Sequence, residues 1–236
     1  MTLENLVAQL HAVFGGELHS VVLYGSAAAG EHLPKRSDHN VLAIVERLDV
    51  AHLRALSATA RAWGEAGNPP PLVFTIEEWR ESSDVFPMEY ADMLERHRVL
   101  HGASPFDGVR VSMADLRLQV EREARGKLLA LRQGALAAGN DNKAELTLVA
   151  STVSTIMVIF RGIERLRGNK PSHDNVELSR SVAGAVSVDP DAFVRVVRHV
   201  RGEAKLTPAQ APAVLDAYLA GIEAVVRYLD EFAATA

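Results

Sequence analysis

Apolar positions at Leu3, Leu6, Val7, Leu10, Val13 and Phe14 recur at helical spacing behind Thr2, and Gly15-Gly16 follows them. This predicts a capped first helix that stops at the glycine pair. Leu18–Tyr24 is rich in β-formers and predicts a strand, and the glycine- and proline-containing stretch 25–37 predicts a loop. A second strand is predicted over about His39–Glu46, then a helix from Asp49 to near Gly67, broken by Asn68-Pro69-Pro70-Pro71. Leu72–Thr75 is a short apolar strand, and Thr75 with Glu78 forms a capping box for a short helix. Phe86–Met93 fits a strand or a helix, and Arg98–His101 fits an edge strand.

From Met113 the pattern changes to long helices. One runs to about Ala138. The next is capped by Asn142 with Glu145 and stops at Gly168. Shorter helices are predicted over Asp174–Val186 and from Asp189-Pro190 to Gly202, and a last one from Thr207-Pro208 to about Phe232. The expected fold class is α+β: a small mixed sheet with flanking helices over residues 1–107, followed by an all-α helical bundle over 108–236.

Composition narrows the chemistry. The 236 residues include no cysteine, which excludes disulfides, thiolate metal sites and a cysteine nucleophile. A net charge of −5 divides into −7 over residues 1–107 and +2 over 108–236, so duplex nucleic acid is not an expected partner. The N-terminus has no basic region leading into an apolar run, and the uncharged stretch Leu146–Phe160 falls short of the ~20 residues that span a bilayer. The expectation is a cytoplasmic protein without a membrane partner. The apolar helices leave a homodimer as a candidate assembly.

The chemistry concentrates in GSAAAGEHLPKRSDHNVLAIV. A strand ends in Gly25-Ser26, where a glycine lets backbone N–H groups approach an anion and a serine adds a hydroxyl. The next strand begins with Asp38 and Asn40 at i and i+2, side by side on one sheet face. Oxygen donors on a strand beside a phosphate-binding turn suit Mg²⁺, which takes one or two carboxylates plus substrate phosphates. The competing reading of Ser, Asp and Asn here is turn chemistry.

The stretch resembles the signature of the DNA polymerase β-like nucleotidyltransferase superfamily: Gly-Ser, about ten residues, then an acidic–apolar–acidic triplet and an apolar strand. A helical bundle after such a domain is similar to the architecture of kanamycin-type nucleotidyltransferases. The resemblance implies transfer of a nucleotidyl group, AMP foremost, from a nucleoside triphosphate to a hydroxyl acceptor on a small molecule or protein. It implies Mg²⁺, in a two-ion site built on three carboxylates. Gly25 and Ser26 match the triphosphate turn and Asp38 the first carboxylate, whereas Asn40 stands where the second is expected. A site degenerate at Asn40 implies instead a nucleotide- or partner-binding module.

The third carboxylate has two candidates, Glu89 and Asp92. With Phe86–Met93 as a strand, Phe86, Met88 and Tyr90 share one face, Glu89 points the other way and Asp92 falls on the apolar side, so Glu89 is preferred. Lys35 and Arg36 are phosphate contacts or solvated loop residues. Arg125 and Lys127 are candidate triphosphate cations, against the reading of helix-surface ion pairs such as Glu123–Lys127. Arg167 and His173, with five residues between them, are similar in spacing to the Arg-x₄₋₆-His motif of HEPN ribonucleases.

Overall fold

Thr2 opens the first helix: its hydroxyl accepts the Asn5 N–H at 3.3 Å, and α1 runs Leu3–Phe14. The computed structural model describes residues 1–25, 27–28 and 38–232, so Ser26 and the expected phosphate-loop residues Lys35 and Arg36 lie outside the described residues. The chain divides into two units, Met1–Ser112 and Met113–Ala236.

The first unit holds a four-stranded sheet in the order β3-β2-β1-β4, with β1 at Leu18–Tyr24, β2 at Asn40–Val45, β3 at Leu72–Thr75 and β4 at His97–Gly102. β1 pairs antiparallel with β2 and β4, and β2 pairs parallel with β3, so the sheet is mixed. The parallel step needs a crossover. It is made by α2 (Val50–Ala55) and α3 (Ser57–Glu65), two helices where the sequence predicted one.

Strand alternation splits the core in two. Val21, Leu23, Val41, Ala43 and Val45 face Leu6, Leu10 and Phe14 of α1 and Trp63 of α3. Val22, Leu42 and Ile44 face Trp79, Tyr90, Met93 and Phe106. Trp79 belongs to α4 (Ile76–Glu81), which the Thr75–Glu78 capping box starts. Its indole stacks on Tyr90 at 4.2 Å between ring centroids, and the Tyr90 hydroxyl donates to the Trp79 carbonyl at 2.6 Å.

Tyr90 lies on α5 (Pro87–Glu95), which settles the ambiguous stretch as a helix. Pro87 supplies a pre-set φ in the first turn, and the buried Met88, Tyr90, Ala91 and Met93 follow helical spacing. The strand-face argument that favoured Glu89 therefore does not hold. Glu89 sits exposed in the first turn of α5, and Asp92 lies half-buried one turn on.

The second unit is all helical: α6 (Met113–Ala138), α7 (Asn142–Leu166), α8 (Asn175–Ala185), α9 (Asp191–Arg201) and α10 (Ala211–Glu231). The cap of α7 is Asp141 rather than Asn142: its carboxylate accepts the N–H groups of Lys143 (2.8 Å) and Ala144 (3.2 Å). α7 is central, packing against each of the other four helices. Phe160 of α7, Phe193 of α9 and Tyr218 of α10 form a ring chain with centroids 5.1 and 4.9 Å apart. By length and composition, α7 and residues 208–231 are apolar enough to cross a membrane, a test that buried core helices also pass. Half of each apolar window is buried inside the protein.

Candidate active site

The carboxyl end of β1 and the start of β2 meet at the register pair Tyr24↔Asn40. Gly25 follows with φ +79°, a left-handed conformation that costs any side-chain-bearing residue. Its N–H donates to the Arg96 carbonyl at 3.0 Å, and its own carbonyl accepts the Ala28 N–H at 3.1 Å. The first bond ties the turn to the end of α5, and the second closes a tight turn. A Cβ on Gly25 would stand 3.5 Å from the Asn40 amide nitrogen, so turn and strand end are in contact.

Asn40 is the first residue of β2, and Asp38 lies two residues ahead of it, outside the strand. Asn40 alternates with Leu42 and Ile44, which face Trp79 and Tyr90. His39 turns the other way. Its ring lies 6.1 Å from Trp63, and its N–H donates to the Asn68 side-chain oxygen at 2.9 Å. Asp38 is exposed and Asn40 half-buried.

Electrostatics bring a residue of α5 to the same place. Burial pushes the Tyr24 hydroxyl up to about 12, and the charges of Asp38 and Glu89 push it in the same direction. Tyr24 shares its face of the sheet with Val22. The charges of Asp38 and Glu89 thus both act on one half-buried phenol, whose cross-strand neighbour is Asn40. Sequence reasoning missed Tyr24, although its place directly before Gly25 on a strand facing Asn40 was readable. It also missed Asn68, which read only as the start of a proline break.

The remaining candidates sit in the second unit. Arg125 is paired with Glu121 one turn back at 3.2 Å and with Asp230 of α10, and these partners hold its guanidinium charged. Lys127 is half-buried and has no ion pair among the described residues, so the expected Glu123–Lys127 bridge is not formed. Arg167 donates to Glu164 at 2.6 Å, in a cluster where Glu164, 3% exposed, also accepts from Asn169 (2.9 Å) and Ser181 (3.0 Å). His173 is exposed.

Asp38, Glu89 and the Asn40 carbonyl are hard oxygen donors that suit one Mg²⁺ completed by phosphates and water. Among the described residues no three His, Asp or Glu side chains gather into a cation cage.

The chain combines this mixed sheet and its flanking helices with a helical unit. The chain is similar in structure to the spectinomycin adenyltransferase AAD(9) from Enterococcus faecialis, solved with ATP and spectinomycin. The TM-score is 0.58 at 10% identity, over 93% of this chain and 98% of that one. No family model matches the chain, and no curated protein matches it.

Proposed function

We propose that this chain transfers a nucleotidyl group, AMP foremost, from a nucleoside triphosphate to a hydroxyl of a small molecule or protein. The observation that carries the reading is the gathering of Gly25, Asp38, Asn40 and Glu89 about Tyr24 at one end of β1 and β2. Its setting supports it, since the fold is shared with an adenyltransferase solved with ATP.

In this reaction the acceptor oxygen bonds to the α-phosphorus. The bond from that phosphorus to its bridging oxygen breaks, pyrophosphate leaves, and the hydroxyl proton passes to a base. Glu89 is exposed on the first turn of α5 and is the proposed base. Gly25, whose N–H is taken by Arg96, is proposed to shape the phosphate turn, and Ser26 to hold the phosphates through its N–H and hydroxyl donors. Arg125 and Lys127 are proposed as triphosphate cations, Lys127 having no ion pair among the described residues. Mg²⁺ would be held by Asp38, Asn40 and Glu89, and when bound it offsets phosphate charge and acidifies the acceptor hydroxyl. One ion suits this donor set better than two, because Asn40 brings a neutral oxygen in place of a bridging carboxylate.

Asn40 also favours a second reading, a nucleotide-binding module without turnover. Calorimetry of ATP with and without Mg²⁺, joined to pyrophosphate release across hydroxyl acceptors that include spectinomycin, separates the two. The enzyme reading expects Mg²⁺-dependent binding and release with at least one acceptor. Metal-independent binding with no release across the panel overturns it. Asn40→Asp strengthens Mg²⁺-dependent binding if the site is degenerate and brings no gain if the variant motif is a working one.

A further inference from the structure

We propose that Asn68 is a positioning residue for Asp38 and Asn40, an inference that rests on the nucleotidyltransferase reading of this site. Asn68 precedes Pro69-Pro70-Pro71, on the far side of the sheet from the candidate donors. Its side-chain oxygen accepts two hydrogen bonds from one residue, the His39 N–H at 2.9 Å and the His39 ring Nδ1–H at 3.3 Å. His39 is the residue between Asp38 and Asn40.

The chain at this point is poorly held by the sheet alone. Pairing with β1 begins at Tyr24↔Asn40, and pairing with β3 begins only at Leu42↔Leu72. Asp38 and His39 therefore lie ahead of both ladders. Asn68 extends the anchoring to His39, three residues ahead of the β3 ladder, with a side chain instead of a strand. Fixing the His39 main chain and turning its ring toward Trp63 restricts the backbone that carries Asp38 and Asn40 on either side of it.

Asn68 is itself held. Its N–H donates to the Trp63 carbonyl at 3.3 Å at the end of α3, and the Gly67 N–H donates to Gly64 at 2.9 Å. Gly67 takes φ +89°, which makes the reversal that only glycine adopts at low cost. Three prolines then stiffen the connection to β3. A carbonyl fixed in this way sets the approach of the donor-bearing strand. Outer partners that orient ligand residues typically contribute about 10–100-fold in metal affinity.

Two measurements on the full chain test this. Hydrogen exchange at the His39 amide reads the bond directly. Calorimetry of ATP with and without Mg²⁺ reads its consequence. Asn68→Ala should speed His39 exchange and weaken Mg²⁺-dependent ATP binding about 10–100-fold, while leaving metal-free ATP binding as in the wild type. Asn68→Asp keeps an accepting oxygen and should restore both. His39→Ala keeps the main-chain bond and should give a smaller loss. Unchanged His39 exchange in Asn68→Ala, or faster exchange with unchanged Mg²⁺-dependent binding, overturns the positioning role alone. A wild-type chain that binds no ATP with Mg²⁺ overturns the reading of the site, and this inference with it.

Discussion

The protein holds two groups of carboxylates in opposite states. In the bundle, Glu164 is 3% exposed and its two oxygens accept from Arg167, Asn169 and Ser181. At the sheet end, Asp38 and Glu89 are both exposed, and their charges converge on a half-buried phenol. A buried carboxylate saturated by its own chain has no capacity left for a ligand and serves the fold. Exposed carboxylates stay open to water and to an arriving cation. The contrast separates two uses of the same side-chain chemistry. It also explains why Arg167, a plausible catalytic residue by spacing alone, belongs to the first group.

The sharpest break of this comparison is Glu164→Ala. Removing the buried carboxylate takes the shared acceptor from Arg167, Asn169 and Ser181, whose side chains reach solvent, at a cost of about 1–3 kcal/mol. For a chain of this size the melting temperature should fall by roughly 2–12 °C, read by calorimetry or circular dichroism. A fall within about 0.5 kcal/mol of zero would show that the cluster is not structural.

Asp38→Asn should do the reverse. Stability should stay within about 0.5 kcal/mol of wild type, because the side chain is exposed. Mg²⁺-dependent nucleotidyl transfer should fall by at least about 10²-fold, the scale of one lost metal-bound charge. A variant that unfolds while a residual fraction keeps full specific activity would move Asp38 into the structural group.

How much of this contrast could be read from the chain depended on range. The sheet strands, the Thr2 cap and the Thr75–Glu78 capping box rest on neighbours within four residues, and all were legible. Phe86–Met93 was not settled, because Phe86, Met88 and Tyr90 alternate like a strand while Pro87 and the buried pairs favour a helix. Tertiary packing of Tyr90 under Trp79 decides between them. The carboxylates split in the same way. Asp38 was marked by a local motif. The α5 position of Glu89 relative to Tyr24 depends on a contact across about 65 residues, and the Asn68–His39 bond spans 29.

A smaller effect tests whether the bundle is as tightly set as the Glu164 cluster implies. A Cβ on Gly221 of α10 would meet the Phe193 ring at 2.5 Å. That ring is fully buried between Phe160 and Tyr218 and has little room to yield. Gly221→Ala should therefore lose about 1–2 kcal/mol despite the ~1 kcal/mol helix-propensity gain, read from the denaturant midpoint. A stabilised variant would mean that the bundle repacks freely, and the contrast with the open sheet end would weaken.

The smallest expected change probes the sheet end without any ligand. Tyr24 is raised to about 12, first by burial and then by Asp38 and Glu89. An acid whose native value lies above its ordinary one, near 10, holds its proton longer in the folded state. Its contribution to stability is therefore full below about pH 10 and is lost as pH rises from there through about 12. Tyrosinate absorbance should show this as a late-titrating component that vanishes in Tyr24→Phe. In Asp38→Asn and in Glu89→Gln the same component should shift down by a modest amount, because burial is the larger cause and remains. Ionisation of Tyr24 at the ordinary tyrosine value, insensitive to both substitutions, would mean that the two carboxylates do not converge there. The sheet end would then lose the feature that sets it apart from the saturated cluster in the bundle.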